Sequence, residues 1–314
     1  MSLASAARLV IARRALLLAL AASAALGGCQ SAQLTAQGLS PVPPKTAISQ
    51  DIALGYAEVR APAELVMDYK TGRVLYELNP DGLRYPASLT KMMTLFLLFD
   101  AVDSGKISLD DTMLVSPNAA AQAPSKLGLK PGSRVRVSDL AHGIATKSAN
   151  DAAMVVAENL GGSKEGFANL MMTKARQIGM TRTSFVNPNG LPDPRQISTA
   201  RDMATLARAL RASHPRFTSF YAMTGYAYEG KAYRSTNHLL GTVQGVDGMK
   251  TGFIRDSGFN LVASAERRGQ RVIVVVIGGK TGRERDAEVT RLVDTYLGPA
   301  ESISTVAALP ASNT

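Results

Sequence analysis

The stretch that decides the fold is Tyr85–Phe99, YPASLTKMMTLFLLF. Its second half, Met92–Phe99, is apolar on every side of a helical turn, which predicts a central helix that is buried all round. Pro86 suits a helix start, because proline fits the first helical position. We therefore expect Ser88 to lie in the first turn of a buried helix.

Ser88 and Lys91 are three residues apart, a spacing that puts both side chains on one helix face. A serine hydroxyl becomes a nucleophile when a base takes its proton, and a lysine can be that base only when it is neutral. Burial beside the apolar helix lowers the lysine pKa, and the positive helix end stabilises a developing alkoxide. Ser88 is the one serine of the sequence with a lysine three positions later. The competing interpretation is an exposed Ser and Lys at an ordinary helix start.

Strand patterns lie on both sides of this helix. Two hairpins are predicted, Ala63–Tyr69 with Arg73–Asn79 and Asn260–Glu266 with Arg271–Gly278. Further helix candidates are Ser138–Lys147, Ala152–Leu160, Phe167–Gly179, Ala200–Ala212 and Ala287–Leu297. Strands at both ends with helices between them predict an α/β sandwich. It has an antiparallel five-stranded sheet flanked by helices, and a helical lobe at about residues 105–215.

The triplet Ser-x-Asn occurs three times, starting at Ser116, Ser148 and Ser235. Ser116 precedes a proline and Ser235 lies in a polar stretch, so both are interpreted as turn or cap residues. Ser148 lies at the junction of two predicted helices, where its side chain and that of Asn150 can project into a cleft. We favour Ser148-Ala149-Asn150 as functional, with a cap for the second helix as the alternative.

The triplet Lys-Thr-Gly also occurs three times, starting at Lys70, Lys250 and Lys280. The first lies in a hairpin turn, and the third follows a strand into a loop. Lys250 leads into the final hairpin, so it can lie on a strand that lines a cleft. There its cation and the Thr251 hydroxyl could hold a substrate carboxylate, while Gly252 would let the substrate approach the backbone.

The two ends of the chain differ from this globular unit. A basic start precedes the uncharged run Ala15–Leu26, the pattern of a signal peptide over residues 1–28, too short for a spanning helix. The sole cysteine, Cys29, closes the sequence LGGC, which resembles a bacterial lipoprotein cleavage box. Ordinary cleavage at a nearby small-residue site is the alternative. Residues 29–50 predict a flexible tether, residues 51–300 the globular domain, and residues 301–314 a C-terminal tail.

Composition excludes several classes of protein. The chain has 314 residues, 46% hydrophobic and 19% charged, which excludes a disordered or fibrous protein. One Cys and three scattered His argue against a disulfide framework or a zinc site, and no cofactor is expected. The formal charge of +10 falls to +7 without residues 1–28, which hold three Arg and no acid. No basic run with interleaved aromatics is present, so nucleic acid is not an expected partner.

The motifs in this order resemble those of the serine-type D-alanyl-D-alanine carboxypeptidases, which are low-molecular-weight penicillin-binding proteins. The matching stretches span most of the globular domain: Pro86–Thr94, Lys147–Ala152, Gly190-Leu191, Ala200–Ala204, Val246–Gly252 and Asn260–Ala265. This resemblance selects Ser148 among the three Ser-x-Asn triplets and Lys250 among the three Lys-Thr-Gly triplets. It implies the fold shared by β-lactamases and penicillin-binding proteins, with residues 51–300 as a DD-peptidase catalytic domain.

The resemblance also implies a mechanism. Ser88 would attack the carbonyl between the two terminal D-alanines of a peptidoglycan stem peptide, with Lys91 as the proton acceptor. Ser148 would assist proton transfer to the leaving D-alanine, and Asn150 would orient Lys91 and the substrate amide. Penicillins and other β-lactams would acylate the same serine and act as inhibitors.

Further residues are assigned by the same resemblance. Lys250 and Thr251 would hold the terminal carboxylate, and the backbone N–H groups of Ser88 and Phe253 would hold the oxyanion. Arg285 aligns with an arginine that helps to hold the carboxylate in this family, although it could equally be one surface charge among several neighbours. Phe253 stands where some relatives carry His, which lowers the local polarity.

Three other functions were weighed. A class A-like β-lactamase needs a carboxylate in a Glu-x-x-x-Asn loop to activate water, and residues 184–193 contain no Glu. A DD-endopeptidase that cleaves crosslinks stays open, because the sequence does not give the width of the cleft. A non-catalytic wall-binding lipoprotein is disfavoured, because every motif residue is present.

The expected location is the periplasm. A lipid on Cys29 would anchor the protein to a membrane and would replace the C-terminal anchor helix of some relatives. Gln30 stands where an Asp is associated with inner-membrane retention, so resemblance to Gram-negative sorting favours the outer membrane.

Overall fold

Residues 60–300 are described by the structure, a computed structural model of the chain. The predicted signal peptide, Cys29, the tether and the C-terminal tail lie outside the described residues. Within residues 60–300, no helix combines the length and the apolarity that crossing a membrane requires. The same part of the chain contains no group of three or more side chains suited to hold a metal ion.

Strands from both ends of the described chain build the central sheet. They are β1 (Ala63–Asp68) and β2 (Val74–Leu78), with β7 (Val246–Ile254), β8 (Gly258–Arg267) and β9 (Gln270–Gly279) from the other end. Their order is β2-β1-β9-β8-β7, and each neighbouring pair is antiparallel. Both predicted hairpins are confirmed, and the strand that carries Lys250 is β7, at one end of the sheet.

Most of the helices lie between β2 and β7. They are α1 (Lys91–Asp103), α2 (Pro117–Ala120), α3 (Val137–His142), α4 (Asn150–Gly161), α5 (Lys164–Gln177), α6 (Ala200–Ser213) and α7 (Ser219–Ala222), and α8 (Gly282–Leu297) follows the sheet. Two short antiparallel pairs were not predicted: β3 (Thr112–Leu114) with β4 (Arg134–Arg136), and β5 (Gly225–Tyr228) with β6 (Lys231–Arg234).

Strand β9 shows how the layers stack. Its apolar run is buried on both faces, because helices cover both sides of the sheet. Ile273 and Val275 belong to the core shared with α1, α4 and α6, whereas Val274 and Val276 pack in a second core with α8. The sheet therefore lies between the helical lobe and the last helix, as the predicted sandwich requires.

Helix α1 is buried all round, as its sequence predicts, but it begins at Lys91 and not before Ser88. Ser88 lies in the preceding 3₁₀ turn, Ala87–Thr90, where the Leu89 N–H donates to the Pro86 carbonyl at 3.1 Å. In such a turn, side chains three residues apart eclipse one another. The tighter winding therefore brings Ser88 directly over Lys91.

Candidate active site

Lys91 is the centre of the site. Its side chain has no solvent-exposed surface, and its Nζ lies 2.9 Å from Ser88 Oγ, 2.7 Å from Asn150 Oδ1 and 2.6 Å from the Asn189 carbonyl oxygen. Burial, and after it the charge of Lys250, holds the pKa of the Lys91 amine well below its ordinary value.

The three partners of this amine match its neutral form. A neutral amine has two N–H donors and one lone pair, and two of the partners, the Asn150 amide oxygen and the Asn189 carbonyl, can only accept. The third partner, the Ser88 hydroxyl, can donate its proton to the lone pair. The geometry therefore aims the one lone pair of Lys91 at the proton that a nucleophilic serine must lose.

Asn150 is held in one orientation. It begins α4, and its Nδ2 donates to the carbonyls of Ala123 and Pro124, at 2.8 Å and 3.1 Å. With both amide protons engaged, its Oδ1 must face Lys91. The predicted pairing of Asn150 with Lys91 is therefore present in the structure.

Ser148 lies where the predicted helix junction puts it. The first of the two helices, α3, continues as one π-helical turn, Gly143–Lys147, and Ser148 ends that turn in the left-handed region at φ 60°. Its buried hydroxyl has no hydrogen-bond partner among residues 60–300, although the side chain lines the same cleft as Ser88. A left-handed backbone is uncommon for serine and is typical of functional positions.

Lys250 lies on β7 and is almost completely buried, at 1% exposure. Its Nζ donates to the Thr251 carbonyl at 2.9 Å. Burial, followed by the charge of Arg285, lowers the pKa of Lys250 to about 7. Thr251 lines the cleft, and its hydroxyl donates to the Thr236 hydroxyl at 2.7 Å.

Gly252 packs closely against the turn that carries Ser88, a contact that the sequence did not predict. A Cβ at this position would lie 3.0 Å from the Pro86 carbonyl oxygen and 3.3 Å from the Ser88 nitrogen. The absence of a side chain lets β7 pack directly against the turn that carries Ser88. Gly252 therefore lies directly beside Ser88, and this contact fixes how far β7 extends past Ser88 along the cleft.

Arg285 and Phe253 both line the cleft. Arg285 is 4% exposed, which excludes the interpretation as a loose surface charge. Its Nη1 donates to the Asn260 carbonyl at 3.1 Å, and its Nε to Asp286 at 2.9 Å. The Phe253 side chain is 54% exposed, and its ring centroid lies 4.4 Å from that of Phe259.

The cleft has a volume of about 440 Å³. Its lining side chains, as far as the structure describes the chain, include no carboxylate. In the loop over residues 184–193, the Asp193 carboxylate is bound by the Arg195 guanidinium at 2.9 Å. The site thus lacks the acid that a class A-like β-lactamase uses to activate water, in agreement with the sequence.

Two of the other triplets do not line the cleft. Thr71 lies in the β1–β2 turn, as its local sequence predicts, and its hydroxyl donates to Asp68, whereas Ser116 caps α2 by accepting from the Ala119 N–H. The third Lys-Thr-Gly triplet reaches the cleft through Gly282, while its Thr281 caps α8.

Two residues of the site were missed. Thr236 belongs to a triplet that we interpreted as a turn, and it does form one, but its hydroxyl also holds that of Thr251. Asn189 contributes a backbone carbonyl to Lys91, and its side chain donates to Gln122 Oε1 at 2.9 Å. Gln122 in turn donates to the Asn118 carbonyl on α2 at 3.1 Å. A carbonyl is common to all residue types, so the sequence carried no signal for Asn189.

Comparisons with known proteins agree with this geometry. A family model described as D-alanyl-D-alanine carboxypeptidase matches residues 46–281. A curated D-alanyl-D-alanine carboxypeptidase of Bacillus subtilis is 38% identical over 240 residues, covering 74% of this chain and 61% of that protein. A D-alanyl-D-alanine endopeptidase of Pseudomonas aeruginosa is 31% identical over 270 residues, covering 82% of each.

Solved structures give the same result for the fold. Penicillin binding protein 5 from Haemophilus influenzae has a TM-score of 0.73 at 36% identity, covering 76% of this chain and 70% of that one. This likeness confirms the predicted fold class. The chain spans less than two thirds of the length of the first curated carboxypeptidases that it matches.

Proposed function

The chain belongs to the D-alanyl-D-alanine carboxypeptidase family, and we propose that it removes the terminal D-alanine from peptidoglycan stem peptides through an acyl-enzyme on Ser88. One observation carries the proposal. Lys91 Nζ is fully buried, faces two obligate acceptors and directs its lone pair at the Ser88 hydroxyl. A hydroxyl with a neutral amine at 2.9 Å is an activated nucleophile.

Acylation begins with transfer of the Ser88 proton to Lys91 Nζ as Oγ bonds to the carbonyl carbon of the penultimate residue. The carbonyl oxygen becomes an oxyanion, held by the backbone N–H groups of Ser88 and Phe253. Each such donor contributes about 10²–10³ in rate. The close packing of Gly252 on the Ser88 turn supports this pairing, because it brings the backbone of β7 next to the Ser88 nitrogen.

The leaving D-alanine needs a proton on its nitrogen and a partner for its carboxylate. Ser148 passes the proton, a role supported by its buried hydroxyl without a protein partner. Lys250, Thr251 and Arg285 hold the carboxylate, so the terminal residue is bound by charge and by hydrogen bonds. Water then hydrolyses the acyl-enzyme and regenerates Ser88.

β-Lactams enter the same sequence of steps as inhibitors. Their amide acylates Ser88, but the ring-opened product keeps its leaving group tethered, and the cleft offers no carboxylate to activate water. The penicillin-binding name of a similar structure supports this proposal.

The test is mass spectrometry of a synthetic pentapeptide that ends in D-Ala-D-Ala, incubated with the protein. We expect loss of one alanine with the wild type and none with Ser88→Ala, which removes the nucleophile. A fluorescent penicillin should label the wild type only. Removal of alanine by Ser88→Ala at the wild-type rate would contradict the acyl-enzyme.

Cleavage of crosslinked peptides is the second candidate function. It is supported by the similarity to the curated D-alanyl-D-alanine endopeptidase, at 31% identity over 270 residues. A crosslinked peptide dimer, added to the same assay, separates the two. Two monomers from the dimer, with the pentapeptide left intact, would favour endopeptidase activity.

For location, we propose export to the periplasm followed by lipidation of Cys29, most consistent with outer-membrane sorting. The support is the basic start, the uncharged run and the LGGC sequence. The tether over residues 29–50 would then carry the catalytic domain, residues 51–300 with the helical lobe at about 105–215, towards the wall. Cys29→Ser should release the protein from membranes, and the N-terminal peptide of the wild type should carry the mass of a lipid.

A further inference from the structure

Phe253 is an exposed aromatic side chain inside a catalytic cleft. It is one of four large hydrophobic side chains of residues 60–300 that are strongly exposed, at 54%. The other three, Leu78, Leu114 and Leu170, do not line the cleft. An exposed aromatic ring in a binding cleft is typical of a contact with a ligand.

The position of Phe253 along β7 relates it to one half of the substrate. Gly252 lies beside the Ser88 nitrogen, Lys250 and Thr251 precede it on β7, and Phe253 follows it. The third group that we propose for the carboxylate, Arg285, comes from α8. The scissile carbonyl lies at Ser88. Phe253 therefore lies towards the acyl half of the substrate, which stays on the enzyme after the D-alanine leaves.

The ring of Phe253 is held in place. It pairs across the strands with Phe259, with ring centroids 4.4 Å apart and planes tilted by 35°. Phe259 is itself only partly exposed and lines the same cleft. Ile254 and Leu191 add further apolar lining. A supported ring loses little conformational freedom when a ligand covers it, so its exposed area is available for binding.

We propose that the Phe253 side chain determines specificity, favouring acyl donors that carry an apolar group of about the size of a ring on their acyl side. The inference rests on the proposed function, because it assigns the acyl half of that substrate to one wall of the cleft. The backbone N–H of Phe253 serves the oxyanion in any variant, so the side chain can be tested separately.

The experiment compares two penicillins that share one nucleus, benzylpenicillin with a phenylacetyl group and 6-acetamidopenicillanic acid with an acetyl group. The second-order rate constant for acylation of Ser88 is measured for each, by competition with a fluorescent penicillin. We expect Phe253→Ala to lower the ratio of the two constants about tenfold, the size of effect that covering half an aromatic ring produces. Leu170→Ala, a matched loss of an exposed side chain outside the cleft, leaves the wild-type ratio.

A ratio that is equal in the wild type and Phe253→Ala would overturn the inference while leaving the proposed function intact. Failure of both penicillins to acylate the wild type would overturn the proposed function, and this inference with it. If Phe253→Ala does not fold, Phe253→Leu replaces it, with a fall of about threefold expected because an aliphatic side chain keeps part of the area.

Discussion

Two lysines are buried directly behind residues that line the cleft, and their surroundings differ in kind. Lys91, at the start of α1, has three hydrogen-bond partners from three separate segments, all uncharged. Among residues 60–300, Lys250, on β7, has one hydrogen-bond partner, the carbonyl of the next residue. Burial lowers the pKa of both amines, and a neighbouring cation adds to the effect in each case, Lys250 for Lys91 and Arg285 for Lys250.

The difference teaches that burial alone does not assign a role to a lysine. Lys91 has its hydrogen bonds completed by the protein in the neutral state, so it is prepared to accept a proton. Lys250 has unused donors and a pKa of about 7, so an arriving carboxylate can complete its hydrogen bonds and favour its charged form. We therefore expect the Lys91 amine to act as a base and the Lys250 amine to bind an anion.

The strongest way to break this comparison is to remove the base. Lys91→Met should lower the rate of Ser88 acylation by a fluorescent penicillin by about 10²–10⁴, the contribution of a positioned general base. Lys91→Arg should be as poor, because guanidinium does not release its proton. The measurement is the time course of labelling at saturating penicillin. Near-normal acylation in Lys91→Arg would show that the base lies elsewhere.

Removing the anion-binding lysine should have a smaller effect. Lys250→Met should lower kcat/KM for the pentapeptide by about 10–10², since a charge-assisted hydrogen bond contributes about 1.5–3 kcal/mol. The control is a peptide that ends in D-alaninamide and so has no terminal carboxylate. The wild type and Lys250→Met should have similar kcat/KM values for this peptide. Equal losses on both peptides would instead indicate that Lys250 takes part in proton transfer.

The pH dependence of kcat/KM for the pentapeptide should follow from the pKa of Lys250, which is about 7. As pH rises through about 7, the free protein loses the Lys250 ammonium. The hydrogen bonds of Lys91 already match its neutral form, and burial lowers the pKa of its amine well below the ordinary value. We expect kcat/KM for the pentapeptide to fall above pH 7, approaching about tenfold per unit. The value of kcat should fall less, because a bound carboxylate stabilises the ammonium. A kcat/KM that rises steadily to pH 9 would contradict the assignment.

The smallest expected loss of acylation rate comes from removing Gln122, which holds a hydrogen-bond partner of Lys91 in place. Gln122 links α2 to Asn189, whose carbonyl accepts from Lys91. Gln122→Ala should slow acylation about threefold to tenfold, in line with the loss of one or two neutral hydrogen bonds. It should also displace the pH profile of acylation, which a purely structural loss would not do. Gln177→Ala, an exposed glutamine at the end of α5, is the matched control.

Much of the site could be predicted from the sequence because it rests on side-chain chemistry at short spacing. Ser88, Lys91 and the buried helix are recognisable from fifteen consecutive residues. The choice of Ser148 and Lys250 among their lookalikes needed the family resemblance, because long-range contacts decide which triplet reaches the cleft. The Asn189 carbonyl could not be predicted, since a backbone group has no residue identity.

Some of the fold was missed although a signal was present. The β5–β6 hairpin turns at Glu229-Gly230, both with positive φ, and tyrosines alternate in β5 before it. A two-residue turn ending in Gly between alternating apolar positions is a hairpin pattern. Ser88 was assigned to an α-helical turn because 3₁₀ and α starts share their sequence preferences, and tertiary packing on β7 decides between them.

The position of β7 at the end of the sheet order has a consequence for the whole molecule. Among the described strands, none lies beside the outer side of its backbone. An extended peptide could therefore add there as a sixth strand and be aligned by main-chain hydrogen bonds. An unprotected sheet margin also invites association between protein molecules.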